Sequence, residues 1–359
     1  MGSERNLVVF PGDGIGPEIM KESLRVLDQV SQMVGVKFRM QFCDIGDAVR
    51  SSSGRAIPEE AMELFRRYRL ALKGPVGESV GEFVRDMRMR FDLYANLRPV
   101  KSYSRISPPA LRGDIDLVVV RENLEDIYVA KENESSPGEW RIEGVFTKRE
   151  CERIARYSFE LARSRRRKLA IAHKSNILPK SHGLFANVFR EIAKSYPDVK
   201  FESYYADAMS AHIIRRPQEF DVIACPNFIG DILSDLAAEA GGGLGLAGSA
   251  NVNPEEKRGL FEPIHGSAPD IAGKGTADPI SQIRCVALLL QFLAKSEGED
   301  YAFASRLIEG GIANYLGNST GENLPFHLGG HLGTVAITDR IMNAIKEIAA
   351  SSSHQTPGV

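Results

Sequence analysis

The 359-residue sequence has only four cysteines, Cys43, Cys151, Cys225 and Cys285, and no two stand close enough to form a CxxC pair. Neither a disulfide framework nor a cysteine zinc site is supported. A reducing, cytoplasmic setting is the expectation. There is no run of about 18 apolar residues, so no transmembrane helix is expected. The chain passes from MGSERN directly into the strand-like LVVF, which does not read as a signal peptide. Charge of one sign is also lacking: 45 Lys and Arg face 47 Asp and Glu, a net of −2. The basic residues are dispersed, and no nucleic-acid footprint stands out. The run Arg165-Arg166-Arg167-Lys168 is the exception, and cations there suit the carbonyl end of a solvated helix. No internal repeat is visible.

What is present is a chain of 43% hydrophobic and 26% charged residues, long enough for two domains or one large α/β unit. Residues 6–10 read as a buried strand, followed by a glycine-rich turn and a helix over roughly 17–34. Short apolar segments recur at LALKG (70–74), DLVVVRE (116–122), KLAIAHK (168–174) and DVIACP (221–226), with helical or irregular sequence between them. That alternation predicts α/β architecture with substantial parallel sheet. Residues 131–147 break it. Their turn residues and alternating WRIEGVF, with the only tryptophan, Trp140, predict a projecting hairpin or arm. The glycines of 241–248 are too apolar in context for a linker and predict close backbone approach. The closing SSSHQTPGV reads as a frayed tail.

Gly12-Asp13-Gly14-Ile15-Gly16 follows a strand and opens a helix. The dinucleotide fingerprint GxGxxG needs a third glycine at position 17, where this chain has Pro17. Proline suits a first helical turn, so the standard Rossmann reading is weak.

Four clusters carry chemistry. Arg85, Arg88, Arg90, Arg98 and Arg121 fall within 37 residues. Convergent guanidinium groups suit a polyacid, although Arg90 reads as a surface residue. Tyr128 lies just past an apolar strand, where α/β sheets place ligands, and can deliver a proton; a half-buried structural tyrosine is the plainer alternative. His173-Lys174-Ser175-Asn176 closes AIAHK, and a lysine there can serve as a base or merely snorkel from a sheet edge. Asp207, Asp231 and Asp235 are candidate oxygen ligands for Mg²⁺ or Mn²⁺. The last two are four apart in GDILSD, on one helical face. Acids in a first helical turn would also be explained by the dipole alone.

Taken together, GDGIGPE (12–18), FDLYANLRP (91–99), RENLEDIY (121–128), HKSNIL (173–178), DAMSAH (207–212), GDILSD (230–235) and FEPIHGSAPDIAGKG (261–275) span nearly the whole chain. In this order they resemble the decarboxylating β-hydroxyacid dehydrogenases that act on isopropylmalate, isocitrate and homoisocitrate. The resemblance implies an α/β fold of two domains sharing a mixed sheet, distinct from the Rossmann fold. It implies a large domain of 1–96 and 247–359 and a small domain of 97–246. It also implies a homodimer in which the arm 131–147 clasps the partner. By the same resemblance, Arg88, Arg98 and Arg121 would hold the malate-like carboxylates. Lys174 would be the base and Tyr128 the proton donor. Asp231 and Asp235 would bind Mg²⁺ or Mn²⁺, with Lys174 and Asp207 arriving from the other subunit. The cofactor residues would be Asn176, His265, Gly266, Ser267, Ala268, Asp270, Ile271 and Asp278. NAD is expected, because Asp270 would repel a 2′-phosphate and Ile271 offers it no donor, where NADP-using relatives carry lysine and tyrosine. One departure stands out: the family's usual asparagine near the adenine is Asp278 here.

The substrate's variable group would be met by GPVGESVGEFVRDM. Isocitrate users carry serine and asparagine at the places of Glu82 and Val84. Val84 suits an isopropyl group, whereas Arg85 suits a distal carboxylate, as in homoisocitrate enzymes. The expectation is 3-isopropylmalate, with homoisocitrate or isocitrate behind it. Two readings of other classes are a non-catalytic regulatory subunit and a polyacid-binding protein without turnover. The intact set of lysine, tyrosine, arginines and aspartates favours an enzyme.

Overall fold

The structure, a computed structural model, describes residues 4–77, 80–103, 106 and 114–353. The first third holds β1 (Glu4–Phe10), α1 (Gly16–Val34), β2 (Lys37–Phe42), α2 (Asp47–Ser53), α3 (Glu59–Tyr68), β3 (Leu70–Lys73), α4 (Gly81–Arg90), β4 (Ala95–Lys101) and β5 (Asp116–Glu122). The middle holds β6 (Asp126–Ser136), β7 (Glu139–Val145), α5 (Lys148–Arg163), β8 (Lys168–His173), α6 (Ser181–Ala193), β9 (Lys200–Tyr205), α7 (Ala206–Arg215), β10 (Val222–Cys225) and α8 (Asn227–Ala240). It closes with β11 (Gly248–Asn253), β12 (Arg258–Pro263), α9 (Ile280–Glu297), α10 (Glu299–Asn318) and α11 (Thr334–Ser353). Among the described residues, no helix is long and apolar enough to cross a membrane.

Ten strands form one sheet in the order β2-β1-β3-β12-β11-β4-β5-β10-β8-β9. The flanks are parallel, as the alternation predicts. The centre is not: β11 runs antiparallel to both β12 and β4, and β4 antiparallel to β5. The result is a mixed sheet rather than a Rossmann order. Strands are covered on both faces. Leu7 and Val9 of β1 join one core layer while Val8 and Phe10 join another, and Val118/Val120 and Leu117/Val119 of β5 divide in the same way. Side chains alternate along a strand, so such near-continuous apolar runs serve two layers.

The central strands β4 and β11 escape a hydrophobicity reading because their buried rows are partly amide. Asn96 and Asn251 are wholly buried. Asn96 Nδ2 donates to Asn251 Oδ1 at 2.7 Å, and Asn251 Nδ2 donates to Glu262 at 2.8 Å. Each buried amide is satisfied by a partner on a neighbouring strand, which makes burial tolerable.

Three expectations need correction. α8 begins at Asn227, four residues before Asp231, so neither aspartate lies in a first helical turn and the dipole reading fails. α5 ends at Arg163, before the basic run. Arg165 and Arg166 instead pin the strand starts: Arg165 Nε donates to Asp221 at 2.7 Å, and the Arg166 amide to the same carboxylate at 2.7 Å. Ser351–Ser353 continue α11, and residues 354–359 of the expected tail lie outside the described residues. The arm is a hairpin of β6 and β7 that starts earlier, at Asp126, and exposes Trp140 and Ile142.

Candidate active site

Beyond the carboxyl end of β5, Arg121 runs back along α8. That helix can come so close because it presents Gly230, where a Cβ would sit 2.8 Å from Arg121 Cγ. Arg121 Nε donates to Asn227 at 2.8 Å and Nη1 donates to Asp231. Arg98, on β4, donates to Ser234 at 2.8 Å and Asp235 at 2.9 Å, and pairs with Asp231 at 3.2 Å. The Tyr128 hydroxyl donates to the other Asp231 oxygen, and its ring stacks under the Arg121 guanidinium, 4.7 Å away. Two carboxylates one turn apart on α8 thus face two arginines from adjacent strands.

Arg98, Arg121, Tyr128 and Asp231 border a cleft of about 610 Å³ that also holds Val84, Arg85, Arg88, Ile127, Phe228 and His265, whereas Asp235 does not line it. Its floor carries residues the sequence reading missed. Lys73 and Glu262 are buried and paired at 2.8 Å, and Glu262 also meets Arg88 at 3.3 Å. A lysine ending an apolar strand, as in LALKG, was the available signal, because a buried lysine needs a carboxylate. Glu132, on the arm strand β6, lines the cleft as well.

The electrostatics follow from this packing. Burial pushes the Asp231 carboxyl up, but Arg121 and Arg98 outweigh it and hold it below the usual range. Burial wins at Asp235, which is raised. Burial, then the Asp231 carboxylate, raises the Tyr128 hydroxyl, so it stays protonated as a donor should. Burial and the neighbouring Arg88 and Arg98 lower Arg121 to about 10. At Glu262, burial opposes ionisation but Lys73 and Arg88 carry it down to about 2. Arg88 Nε and Arg121 Nη2 are buried with no hydrogen-bond partner among the described residues. Unsatisfied charged donors at a cleft wall suit an anionic ligand.

Lys174 and Asp207 are not brought into this cleft. They pair with each other at 3.0 Å, Asp207 largely exposed, beside β8 and the edge strand β9. Asn176 is exposed close by. Among the described residues, no three His, Cys, Asp or Glu side chains gather as a metal-holding group. Arg90 is exposed at the surface, as expected, 3.8 Å from Glu59. Arg85 is one-third exposed and pairs weakly with Asp86 at 3.6 Å.

The predicted cofactor residues fall mainly around a second cavity of about 440 Å³, lined by Ile15, Ala268, Ile271, Ala277, Asp278 and His327 among others. His265 and Gly266 line both cavities and join them. The first glycine loop reaches this cavity through apolar Ile15, whose amide donates to Ser267 O at 2.9 Å. Asp270 is exposed and does not line it. His327, from a turn near the chain end, was not foreseen.

Residues 6–340 match the family model described as isocitrate/isopropylmalate dehydrogenase. The chain belongs to this family. It is therefore an oxidoreductase, a decarboxylating dehydrogenase. It is 41% identical to the 3-isopropylmalate/3-methylmalate dehydrogenase of Methanocaldococcus jannaschii, over 95% of this chain and 99% of the relative. It is 38% identical to the isocitrate/homoisocitrate dehydrogenase of Thermus thermophilus, with the same coverage of each. The crystal structure of isocitrate dehydrogenase from Methylococcus capsulatus superposes with a TM-score of 0.85 at 34% identity, covering 95% of this chain and 99% of that one. The mixed sheet is thus a feature of a family fold, and the family's members differ in the malate derivative they are named for.

Proposed function

We propose that the protein is an NAD-dependent 3-isopropylmalate dehydrogenase, which oxidises the hydroxyl of a (2R,3S)-3-substituted malate and releases CO₂. One observation carries the reading: buried guanidinium donors of Arg88 and Arg121 lack partners and border the cleft that holds Tyr128 and Asp231. Arg88, Arg98 and Arg121 hold the substrate carboxylates. Val84 meets the isopropyl group.

The catalytic set is completed by a second copy of the chain. Lys174 from that copy takes the hydroxyl proton as the alcohol is oxidised. Loss of CO₂ leaves an enolate, and Tyr128 returns a proton to its carbon. Asp231 and Asp235, with Asp207 of the second copy, would hold Mg²⁺ or Mn²⁺: the two carboxylates project from one helix face, and a cation there would take the place of their Arg98 and Arg121 partners. When bound, the cation supplies positive charge that stabilises the enolate. The residues that would hold NAD, which would supply the hydride acceptor, are His265, Gly266, Ala268, Ile271 and Asp278 at the joined cavities, with Ser267, Asp270 (for the adenosine ribose) and Asn176 of the second copy outside them. Domains of 1–96 with 247–359, and of 97–246, then meet at the cleft.

Homoisocitrate or isocitrate is the second reading, favoured by Arg85 at the cleft wall. Measuring kcat/KM with NAD for 3-isopropylmalate, homoisocitrate, isocitrate and D-malate decides between them. A preference for a tricarboxylate overturns the first choice. No NADH absorbance with any of the four, with Mn²⁺ present, leaves a non-catalytic subunit.

A further inference from the structure

The second cavity has apolar walls from Ile15, Ala268 and Ile271, suited to a flat heteroaromatic ring, and a polar end formed by Asp278 and His327. The Asp278 side chain is 5% exposed. One oxygen accepts from the Ile280 amide at 2.9 Å, while the other is buried with no hydrogen-bond partner among the described residues. A bare carboxylate oxygen in an apolar cavity is costly unless it carries a proton or finds a donor. His327 Nδ1 lies 3.4 Å away. It is not a cation near neutrality, because burial and then His265 hold that imidazole down at about 4.

We propose that Asp278 reads the base of the bound dinucleotide as a neutral carboxylic acid, donating to a ring nitrogen of adenine and accepting from its exocyclic amine. This rests on the dinucleotide reading above. An acid and an amide offer the same donor–acceptor pair, but only the acid loses its donor by ionising. An ionised Asp278 has two acceptors and matches guanine, whose edge presents two N–H donors. Adenine binding is therefore linked to a proton, and base preference changes with pH.

Burial pushes the Asp278 carboxyl up to about 7, against the Ile280 amide and Arg284. Other groups face it from three sides. Arg284 of α9 is raised and stays charged, and burial raises Tyr315 of α10, which stays neutral. His327 is neutral, burial lowers His265, and the Glu239 carboxylate, also at the cavity, accepts from the Leu244 amide at 3.1 Å. The sign follows: affinity for an adenine dinucleotide is full below about 7 and falls above it.

The test titrates NADH fluorescence, and that of the reduced guanine analogue, into the full-length protein from about pH 6 to about pH 9. Wild-type affinity for NADH should fall about tenfold per pH unit at the alkaline end, with the guanine analogue gaining ground. Asp278→Asn should flatten the NADH profile, and His327→Gln should leave its slope intact. A flat wild-type profile, a slope retained in Asp278→Asn, or a base preference unmoved by pH would each overturn the proposal. Failure of folded wild type to bind either dinucleotide would remove the cofactor reading as well, whereas pH-independent NADH binding removes only this one.

Discussion

At Asp231 a carboxylate two-thirds shielded from solvent meets Arg98, Arg121 and Tyr128; at Asp207 a carboxylate 70% exposed pairs with Lys174. The same side-chain chemistry has two physical meanings. Around Asp231, charges are largely shielded, paired with one another and held by three elements, so the chain's own fold fixes their geometry. Around Asp207, a surface ion pair is screened by water and adds little to stability.

The largest test of the contrast removes Lys174. Lys174→Ala should lower kcat by roughly 10²–10⁴ while the unfolding midpoint scarcely moves. Wild-type turnover would end its assignment as the base. Arg121→Ala should damage both properties, because Asp231 keeps only Arg98 and Tyr128 as partners; a loss of about 1–3 kcal/mol is expected in denaturant unfolding. If instead its stability matched Lys174→Ala, the claim that this half is self-sufficient would fail.

Next comes Glu262→Gln, which leaves Lys73 buried without its counter-charge. Destabilisation of a few kcal/mol is expected near neutral pH. In wild type the Glu262 carboxyl is depressed from 4.5 to about 2, so its contribution is present above the ordinary value and lost as pH falls through that window. The variant should lack this component in unfolding curves taken across acid pH. Smaller still, mixing Lys174→Ala with Tyr128→Phe should restore partial activity, because mixed dimers hold one intact site. No recovery after subunit exchange would refute sharing. The faintest signal is optical: Trp140 is the only tryptophan and is 65% exposed on the arm. Dilution should red-shift its emission if a partner covers it, and an unchanged spectrum would place the arm in water at all concentrations.

Much of the site was legible before any fold was known. Arg88, Arg98, Arg121, Tyr128 and Asp231 do converge at one cleft, because functional groups at strand ends announce themselves by following apolar runs. The floor was not legible. Lys73, Glu262, Asn96 and Asn251 are polar residues inside strands, and hydropathy scores such residues as exposed. They are buried because each finds a partner on another strand, and pairing across a sheet leaves no local trace. The helix start at Asn227 was misplaced for a related reason: the aspartates of GDILSD read as a first turn, whereas α8 has by then already passed Gly230, where it touches Arg121.

The reaction family came from the resemblance of its motifs to known enzymes; by itself the sequence determined the parallel flanks of the sheet and the identity of the charged groups. These depend on residue type and on short-range periodicity, which a linear chain displays directly. Tertiary structure alone decided which charges are paired. It made Asp231 an ion-pair hub, left Asp207 at a rim and stranded one Asp278 oxygen in a cavity. Desolvation and distance set those states, and both arise only when remote segments pack.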